Sequence, residues 1–292
     1  MFELVQISSL CYYFRSPAKI GLVRLNEKDV CLIDSGNDKD AGKKVKQTLD
    51  EKGWNLKAIY NTHSHADHVG GNRFLQERTG CQIFAPDIEV TLTNHPELES
   101  AFLYGGYPLP ELRHKFLLAQ PSPAELLTED KLPEGFEIIS LNGHAFRMVG
   151  YRTPDNIVFL ADALSGEETL EKYKVSYLFD VGAYLETLNR ISTMQADLFV
   201  PSHAPECTEI SDLVRKNIDS VHELCTLFCS MCKEGISFED LLAHVFDHFG
   251  MVMTYEQYAL IGCTLRSYLT YLKSKNRISS SFSENKLIWS AT

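Results

Sequence analysis

The chain has 292 residues with a formal net charge of −11; 44% of them are hydrophobic and 23% are charged. These values are ordinary for a globular protein whose core needs no disulfide staples, and at roughly 150 residues per domain they indicate one large domain, alone or with a small appendage. The acidic balance argues against non-specific nucleic-acid binding, because a negative surface repels phosphate backbones.

The first residues, MFELVQISSLCYYF, lack the basic region, the long apolar region and the cleavage site of a signal peptide. No stretch is apolar over the roughly 18 residues that a membrane span needs. The eight cysteines are scattered along the chain. We therefore expect reduced thiols, a cytoplasmic location and no membrane partner.

The first elements alternate between strands and helices. Two β-like runs within residues 20–36 are separated by a polar NEKD segment, which predicts a hairpin. Residues 40–52 have the pattern of an exposed amphipathic helix, and residues 56–62 that of a buried strand. A helix and another strand follow Gly70-Gly71. This order predicts a layered α/β domain.

Residues 87–135 show weaker patterns and contain six of the eleven prolines. A long irregular insertion in a compact domain often forms a lid or a binding loop. Its aromatic segment AFLYGGYPLP contains Tyr104 and Tyr107, which we predict as substrate-binding residues at the mouth of a site. Packing of these aromatic rings onto the domain explains the segment equally well.

Strand patterns resume after the insertion and end near residue 210. Helical patterns then cover residues 209–234, 237–249 and 254–275, with capping boxes at Ser237 and Thr254. The last residues alternate around a polar SENK turn, as in a small hairpin. We predict a catalytic domain over 1–210 and a helical C-terminal region over 211–292, winged-helix-like from about 235.

The run THSHADH places four potential metal ligands within six residues, directly after the predicted strand at 56–62: His63, His65, Asp67 and His68. Side chains alternate along an extended strand end, so His63 and His65 should point to the same side. A turn after His65 would bring Asp67 and His68 to an adjacent position. Imidazole and carboxylate ligands suit zinc, iron or manganese.

Three further ligand candidates follow other predicted strands: His144, Asp162 and His203. Strand ends are where an α/β fold forms its ligand-binding edge, so these residues can complete a site for two metals. Asp34 ends another strand, and we predict that it orients a ligand histidine or its loop.

With these motifs the chain resembles the metallo-β-lactamase-fold superfamily, with a glyoxalase II-like core, over about residues 1–210. The resemblance implies a four-layer αββα sandwich, with two sheets back to back and helices outside. It also implies two sets of metal ligands bridged by Asp162: His63, His65 and His144 for one metal, and Asp67, His68 and His203 for the other.

Two further features of the sequence bear on the identity of the substrate. The C-terminal helices and hairpin resemble the winged-helix tail of the lactamase-like protein 2 group, whose mammalian member acts as an endoribonuclease. Family members often follow the ligand equivalent to His144 with a proline and a glycine, where this chain has Phe146 and Arg147. This departure weakens any transfer of substrate preference from the family.

We therefore predict a metal-dependent hydrolase that uses a hydroxide bridging two transition-metal ions, with zinc as the expected metal. The expected substrate is a small ester, thioester or lactone, and Asp67 would hold the nucleophile and take its proton. The alternatives are a metallo-endoribonuclease or phosphodiesterase, which the net charge disfavours, and an iron-dependent oxidoreductase on the same fold. The C-terminal region is also compatible with a homodimer contact.

Overall fold

Two β-sheets pack face to face in the structure, a computed structural model that describes residues 2–292. The seven strands of the first sheet pair in chain order, antiparallel up to the fourth strand and parallel beyond it. They are β1 (Glu3–Gln6), β2 (Cys11–Arg15), β3 (Ile20–Arg24), β4 (Asp29–Ile33), β5 (Asn55–Tyr60), β6 (Gln82–Ala85) and β7 (Glu125–Leu126).

The second sheet has four strands, in the spatial order β11-β10-β9-β8. Strands β10 and β11 pair in parallel, and the other pairs are antiparallel. The strands are β8 (Glu137–Ser140), β9 (Val149–Arg152), β10 (Ile157–Ser165) and β11 (Leu198–His203). The strand patterns that the sequence shows between residue 135 and about residue 210 are thus confirmed.

The inner faces of the two sheets form one apolar core. Tyr13 and Ile33 from the first sheet pack with Tyr151 and Phe159 from the second, and all four are at most 4% exposed. The approach is close at Gly21, where an added Cβ would lie 2.8 Å from the Phe159 ring. Burial of these large side chains is the main force that holds the sheets together.

Helices cover both outer faces, so the predicted αββα architecture is confirmed. Val45 and Leu49 of α1 and Leu75 of α3 pack on the first sheet, and α7 and α8 pack on β10 of the second. The helices of the first 231 residues are α1 (Lys39–Lys52), α2 (Ala66–Val69), α3 (Asn72–Thr79), α4 (Glu89–Asn94), α5 (Glu97–Tyr104), α6 (Glu167–Tyr173), α7 (Val181–Ile191) and α8 (Ser211–Met231).

The segment 87–135 is more regular than its sequence predicts. It contains α4 and α5, two 3₁₀ turns at Pro110–Leu112 and Glu129–Lys131, and the edge strand β7, which extends the first sheet. Helices of six and eight residues are too short to show a clear 3.6-residue period, which explains why the pattern was missed. We call this segment the insertion below.

The predicted C-terminal helices and hairpin are present. Ser237 is the N-cap residue of helix α9 (Phe238–Phe249) and Thr254 that of α10 (Tyr255–Ser274), and each side chain accepts a hydrogen bond from a backbone N–H of the first turn. The hairpin of β13 (Ile278–Ser283) and β14 (Lys286–Ala291) pairs with β12 (Ile236–Ser237). These elements share one core with the outer face of the second sheet.

No helix within residues 2–292 combines the length and the apolar composition that a bilayer crossing requires.

Candidate metal centre

The seven side chains predicted as ligands meet at one edge of the sandwich. They form two groups that share Asp162, and within each group the potential ligand atoms lie within 4.8 Å of one another. The two groups are His63, His65, His144 and Asp162, and then Asp67, His68, Asp162 and His203. The structure thus brings together side chains from four separate segments of the chain.

In the first group, three ring nitrogens converge. The loop after β5 carries His63 and His65, and the Nε2 atom of His63 lies 3.0 Å from Nδ1 of His65. The Nε2 atom of His144 lies 3.0 Å from the same Nδ1 atom. His63 and His65 therefore do point to the same side, as the alternation of the extended backbone predicts.

The second group forms because the chain turns after His65. The single turn α2 carries Asp67 and His68 to the adjacent position. The Nε2 atom of His203 lies 3.2 Å from Oδ2 of Asp162 and 3.3 Å from Oδ2 of Asp67. The side chains of Asp67 and His203 are 41% and 25% exposed, so this group is the more accessible of the two.

Two buried atoms of the second group have no hydrogen-bond partner in the described chain: Nε2 of His68 and Oδ1 of Asp162. They lie 3.0 Å apart, yet without the geometry of a hydrogen bond. Leaving such groups unpaired in a protein interior is costly. A cation bound here would ligate both atoms, and the nitrogen and oxygen donors fit zinc, iron or manganese.

The backbone aims Asp162 into the centre. The register between β10 and β11 shifts at Ala161, and Ala161 adopts a left-handed conformation with φ 47°. Such irregularities are uncommon for non-glycine residues and often redirect a side chain at a functional site. The side chain of Asp162 therefore departs from the regular alternation of strand side chains and lies where it can belong to both ligand groups.

Asp34 holds two histidines through one carboxylate. It accepts hydrogen bonds from the Thr62 backbone N–H and hydroxyl, each at 2.8 Å, and from Nδ1 of His68 at 2.7 Å. Because the Thr62 hydroxyl donates to Asp34, its oxygen accepts from Nδ1 of His63, 2.9 Å away. Both rings are left with Nε2 facing the centre. Asp34 stands where the sequence predicts an orienting residue, whereas the part played by Thr62 was not predicted.

Backbone carbonyls fix two more rings. The Nδ1 atom of His144 donates to the Tyr177 carbonyl at 3.2 Å, and that of His203 donates to the Pro17 carbonyl at 3.0 Å. In each case the outer nitrogen carries a proton, and the inner Nε2 is the nitrogen that faces the centre and would bind a metal.

The double glycine after the ligand run allows close packing. A Cβ at Gly70 would lie 2.3 Å from the Asn37 carbonyl oxygen, and one at Gly71 would lie 2.3 Å from that of Ser35. The ligand loop can therefore approach the segment after β4 only with glycine at these positions.

Comparison with known proteins agrees with this geometry. Residues 14–203 match the family model described as the metallo-beta-lactamase superfamily. The chain belongs to this superfamily. Two superfamily structures match almost the whole chain at 15% identity, which shows a shared fold. A beta-lactamase domain protein from Burkholderia ambifaria has a TM-score of 0.77, covering 99% of this chain and 94% of that one. A metallo-beta-lactamase family protein from Thermus thermophilus has a TM-score of 0.74, covering 100% and 98%.

Curated relatives match a shorter segment. A hydroxyacylglutathione hydrolase from Methylococcus capsulatus is 41% identical over 61 residues, which is 18% of this chain and 24% of that protein. One from Thiobacillus denitrificans is 51% identical over 39 residues, or 13% and 15%. The chain thus matches less than a quarter of the length of these relatives. Together with the superfamily match, the Asp and His groups fit a metal site.

The departure from the superfamily pattern beside His144 has a structural counterpart. Phe146 packs against Phe102 of α5 and against Phe179, with ring centroids 5.0 and 4.2 Å away. The backbone N–H of Arg147 donates to Oε1 of Glu89 at 2.9 Å. The substituted segment is therefore anchored to the insertion by an aromatic cluster and by a buried carboxylate.

Glu89 connects the two ligand loops. It is fully buried, and its Oε2 atom accepts from the backbone N–H and the hydroxyl of Ser64, at 3.0 and 2.7 Å, while Oε1 binds Arg147. Burial raises the pKa of this carboxyl group, and the hydrogen bonds oppose that rise. Glu89 was missed from the sequence because it lies in the short helix α4, 25 residues from Ser64.

We expect Glu89→Ala to lower the free energy of unfolding by about 3 kcal/mol, because the buried backbone N–H and hydroxyl of Ser64 and the part-buried N–H of Arg147 would lose their acceptor. Urea denaturation of the variant and the wild type would measure this. Glu77→Ala, at an exposed ion pair with Arg73, should change it by less than about 1 kcal/mol. Equal losses in the two variants would show that Glu89 has no special role.

The two ligand groups differ in their protonation. Burial and the neighbouring rings lower the pKa of His63, His65 and His144, to about 3 for His65. Burial also opposes the charged form of His203, but Asp162 and Asp67 outweigh it and raise the pKa to about 10. The three histidines of the first group are therefore neutral and ready to bind a cation at neutral pH, whereas the second group must first release protons.

The two tyrosines predicted to bind substrate have different surroundings. Tyr104, at the end of α5, is 39% exposed and lines a cavity of about 810 Å³ between the insertion and α10. Tyr107 is 82% exposed, and its hydroxyl accepts a hydrogen bond from Arg113. None of the seven predicted metal ligands lines this cavity, so the substrate-binding role of both tyrosines stays a prediction.

Proposed function

We propose that the protein hydrolyses a small thioester, ester or lactone with two metal ions bound at this centre. The observation that carries the proposal is the pair of ligand groups that share Asp162. The partial matches to hydroxyacylglutathione hydrolases favour a thioester within this set. Zinc is the proposed metal, since it is well suited to histidine and carboxylate ligands.

In this proposal each metal would have its own ligands, and Asp162 would be shared by both. The ligands are His63, His65 and His144 for one metal, and Asp67, His68 and His203 for the other. Metal ions bound here would lower the pKa of a coordinated water and stabilise negative charge that develops on a carbonyl oxygen. The five histidines would hold these ions, and the outer-nitrogen contacts described above orient four of the five rings.

Asp67 is proposed to act as both a ligand and a proton acceptor. Burial would raise its pKa, but His68 and His203 outweigh this effect and lower it, so the carboxylate is ionised at neutral pH. Its side chain is 41% exposed at the accessible side of the centre. It can therefore hold a water molecule against an incoming substrate, accept its proton and return that proton to the leaving group.

A second candidate is a metallo-endoribonuclease or phosphodiesterase. The elements from α8 to β14 follow the helix–strand–helix–helix–hairpin order of a winged helix. Three cations lie along α10 or just after it: Arg266, which stacks on Phe238, Lys273, which donates to Ser280, and Lys275. These side chains could contact phosphates, but the net charge of −11 opposes nucleic-acid binding.

Metal analysis followed by a substrate panel tests the proposal. We expect two zinc ions per chain in zinc-reconstituted protein, and thioester hydrolysis that is lost when a chelator removes them. RNA and phosphodiester substrates should be cleaved at least tenfold more slowly than thioesters, by kcat/KM. A single iron per chain with oxidation of a thiol substrate would instead support an oxidoreductase and contradict the proposal.

A further inference from the structure

Four of the five ligand histidines have an oxygen acceptor at the ring nitrogen that faces away from the centre. These acceptors are the Thr62 hydroxyl, the Asp34 carboxylate and the carbonyls of Tyr177 and Pro17. The fifth ring, His65, faces a carboxylate from the insertion. The Oε1 atom of Glu99 lies 3.5 Å from Nε2 of His65.

The geometry of His65 is reversed relative to the other four rings. Its Nδ1 atom, rather than Nε2, converges with the Nε2 atoms of His63 and His144, each 3.0 Å away. Its Nε2 atom is therefore the outer nitrogen, and it must carry the proton if Nδ1 is to bind a metal. Glu99 is the carboxylate placed to accept that proton, and its side chain is only 13% exposed.

The insertion is anchored so that Glu99 reaches the centre. The hydroxyl of Ser100, next to Glu99 in α5, donates to the Leu112 carbonyl at 3.0 Å. Lys115 binds Oδ2 of Asp38 at the start of α1, 3.0 Å away. On the other side, His114 contacts Glu256 of α10 at 3.1 Å. The segment is thus tied to both halves of the protein.

We propose that Glu99 is a positioning residue for the metal centre: its carboxylate accepts the Nε2–H of His65 and leaves Nδ1 free to bind the metal of the first group. The inference rests on the proposed function only in requiring a metal at that group. It assigns to the insertion a role in metal affinity, in addition to any contact with substrate. Removing a partner that hydrogen-bonds to a metal ligand typically weakens metal binding by about 10- to 100-fold.

The side chain of Glu99 is only 13% exposed, so its carboxylate is largely removed from water. A buried carboxylate costs stability unless positive charge approaches it. Without metal, therefore, Glu99→Gln should be at least as stable as the wild type.

Three variants test the inference: Glu99→Ala, Glu99→Gln and the matched control Glu97→Gln. Glu97 lies on the same helix with a side chain that is 66% exposed. Competition with a chromophoric chelator would measure zinc affinity. We expect the tighter-binding zinc to be held about 10- to 100-fold less tightly in Glu99→Ala, less affected in Glu99→Gln, whose amide oxygen still accepts, and unchanged in the control.

A second readout reports the tautomer directly. In zinc-loaded protein labelled with ¹⁵N-histidine, the wild type should show a slowly exchanging Nε2–H for His65, which Glu99→Ala should expose to rapid exchange. Melting temperatures separate this role from a structural one: only the increase on adding zinc should fall in Glu99→Ala, while the metal-free value does not.

The possible failures are distinguishable. Wild-type zinc affinity and an unchanged His65 signal in Glu99→Ala would overturn the role of Glu99 and leave the hydrolase proposal intact. Equal drops in the metal-free and metal-loaded melting temperatures of Glu99→Ala, with unchanged zinc affinity, would also overturn the proposed role of Glu99. Failure of the wild type to bind zinc would overturn both proposals.

Discussion

Asp67→Asn should reduce kcat/KM for the best thioester substrate by about 10²- to 10⁴-fold, the usual effect of removing a general base. Asparagine has nearly the same shape as aspartate and can still offer an oxygen to a metal. It cannot accept a proton from water at neutral pH, however, and it removes one negative charge beside His68 and His203. The loss should therefore appear mainly in kcat.

Metal analysis must accompany this measurement, because Asp67 is also a proposed ligand. The first group contains no atom of Asp67, so the variant should retain at least one zinc per chain at saturating metal. The exposed residue Asp212, whose side chain is 89% exposed in a helix-surface ion pair, provides a charge-matched control in Asp212→Asn. An Asp67→Asn protein with two zinc ions and wild-type kcat would exclude Asp67 as the proton acceptor.

The convergence of the seven predicted ligands could be anticipated because their signal is local. The alternation of an extended strand end places His63 and His65 together, and the residues at the ends of other strands meet at the same edge of the sandwich. Asp34 could be predicted for the same reason. Each of these side chains follows an apolar run that is recognisable without knowledge of its spatial neighbours.

Glu89 and Glu99 could not be predicted in this way. Both lie in short helices of the insertion, and their partners are distant in sequence, with Ser64 25 residues from Glu89. Acidic residues in a weakly patterned polar segment are usually solvated, so nothing in the local sequence distinguishes them. Only the packing of the insertion against the ligand loops reveals that these two carboxylates are buried.

Only the tertiary structure shows how the C-terminal region packs against the two-sheet domain. Its helices were predicted correctly from capping residues and period, but its packing was not. Val221 and Phe228 of α8 and Leu265 of α10 belong to the same apolar cluster as Leu160 of β10. A domain boundary near residue 210 therefore stays a prediction, since the region shares the core of the second sheet.

We expect the metal affinity of the second ligand group to rise by up to about 100-fold per pH unit between pH 7 and pH 8. Asp162 and the other carboxylates overcome the effect of burial and raise the pKa of His68 well above its usual value and that of His203 to about 10. Both rings are thus protonated in the metal-free protein at these pH values. A metal must displace two protons, and each contributes a factor of ten per pH unit.

The same shifts determine how the stability of the metal-free protein depends on pH. Unfolded histidine has a pKa near 6.5, so the folded protein binds more protons than the unfolded chain at pH values between 6.5 and the raised values. The stabilisation is fully present below about pH 6.5 and declines as pH rises towards 10. The free energy of unfolding without metal should therefore fall from pH 6.5 to pH 8.5, whereas zinc binding tightens over the same range.

Urea denaturation at pH 6.5, 7.5 and 8.5, with excess zinc and with chelator, would measure both trends. His203→Gln should flatten the decline of the chelated protein, because it removes one of the groups that hold an extra proton in the folded state. The exposed His95, whose side chain is 63% exposed, offers a control in His95→Gln that should leave the slope unchanged. A stability that rises with pH in the chelated wild type would show that His68 and His203 are already neutral there. Zinc binding at this group would then release no protons from them, and its affinity would not depend on pH over this range.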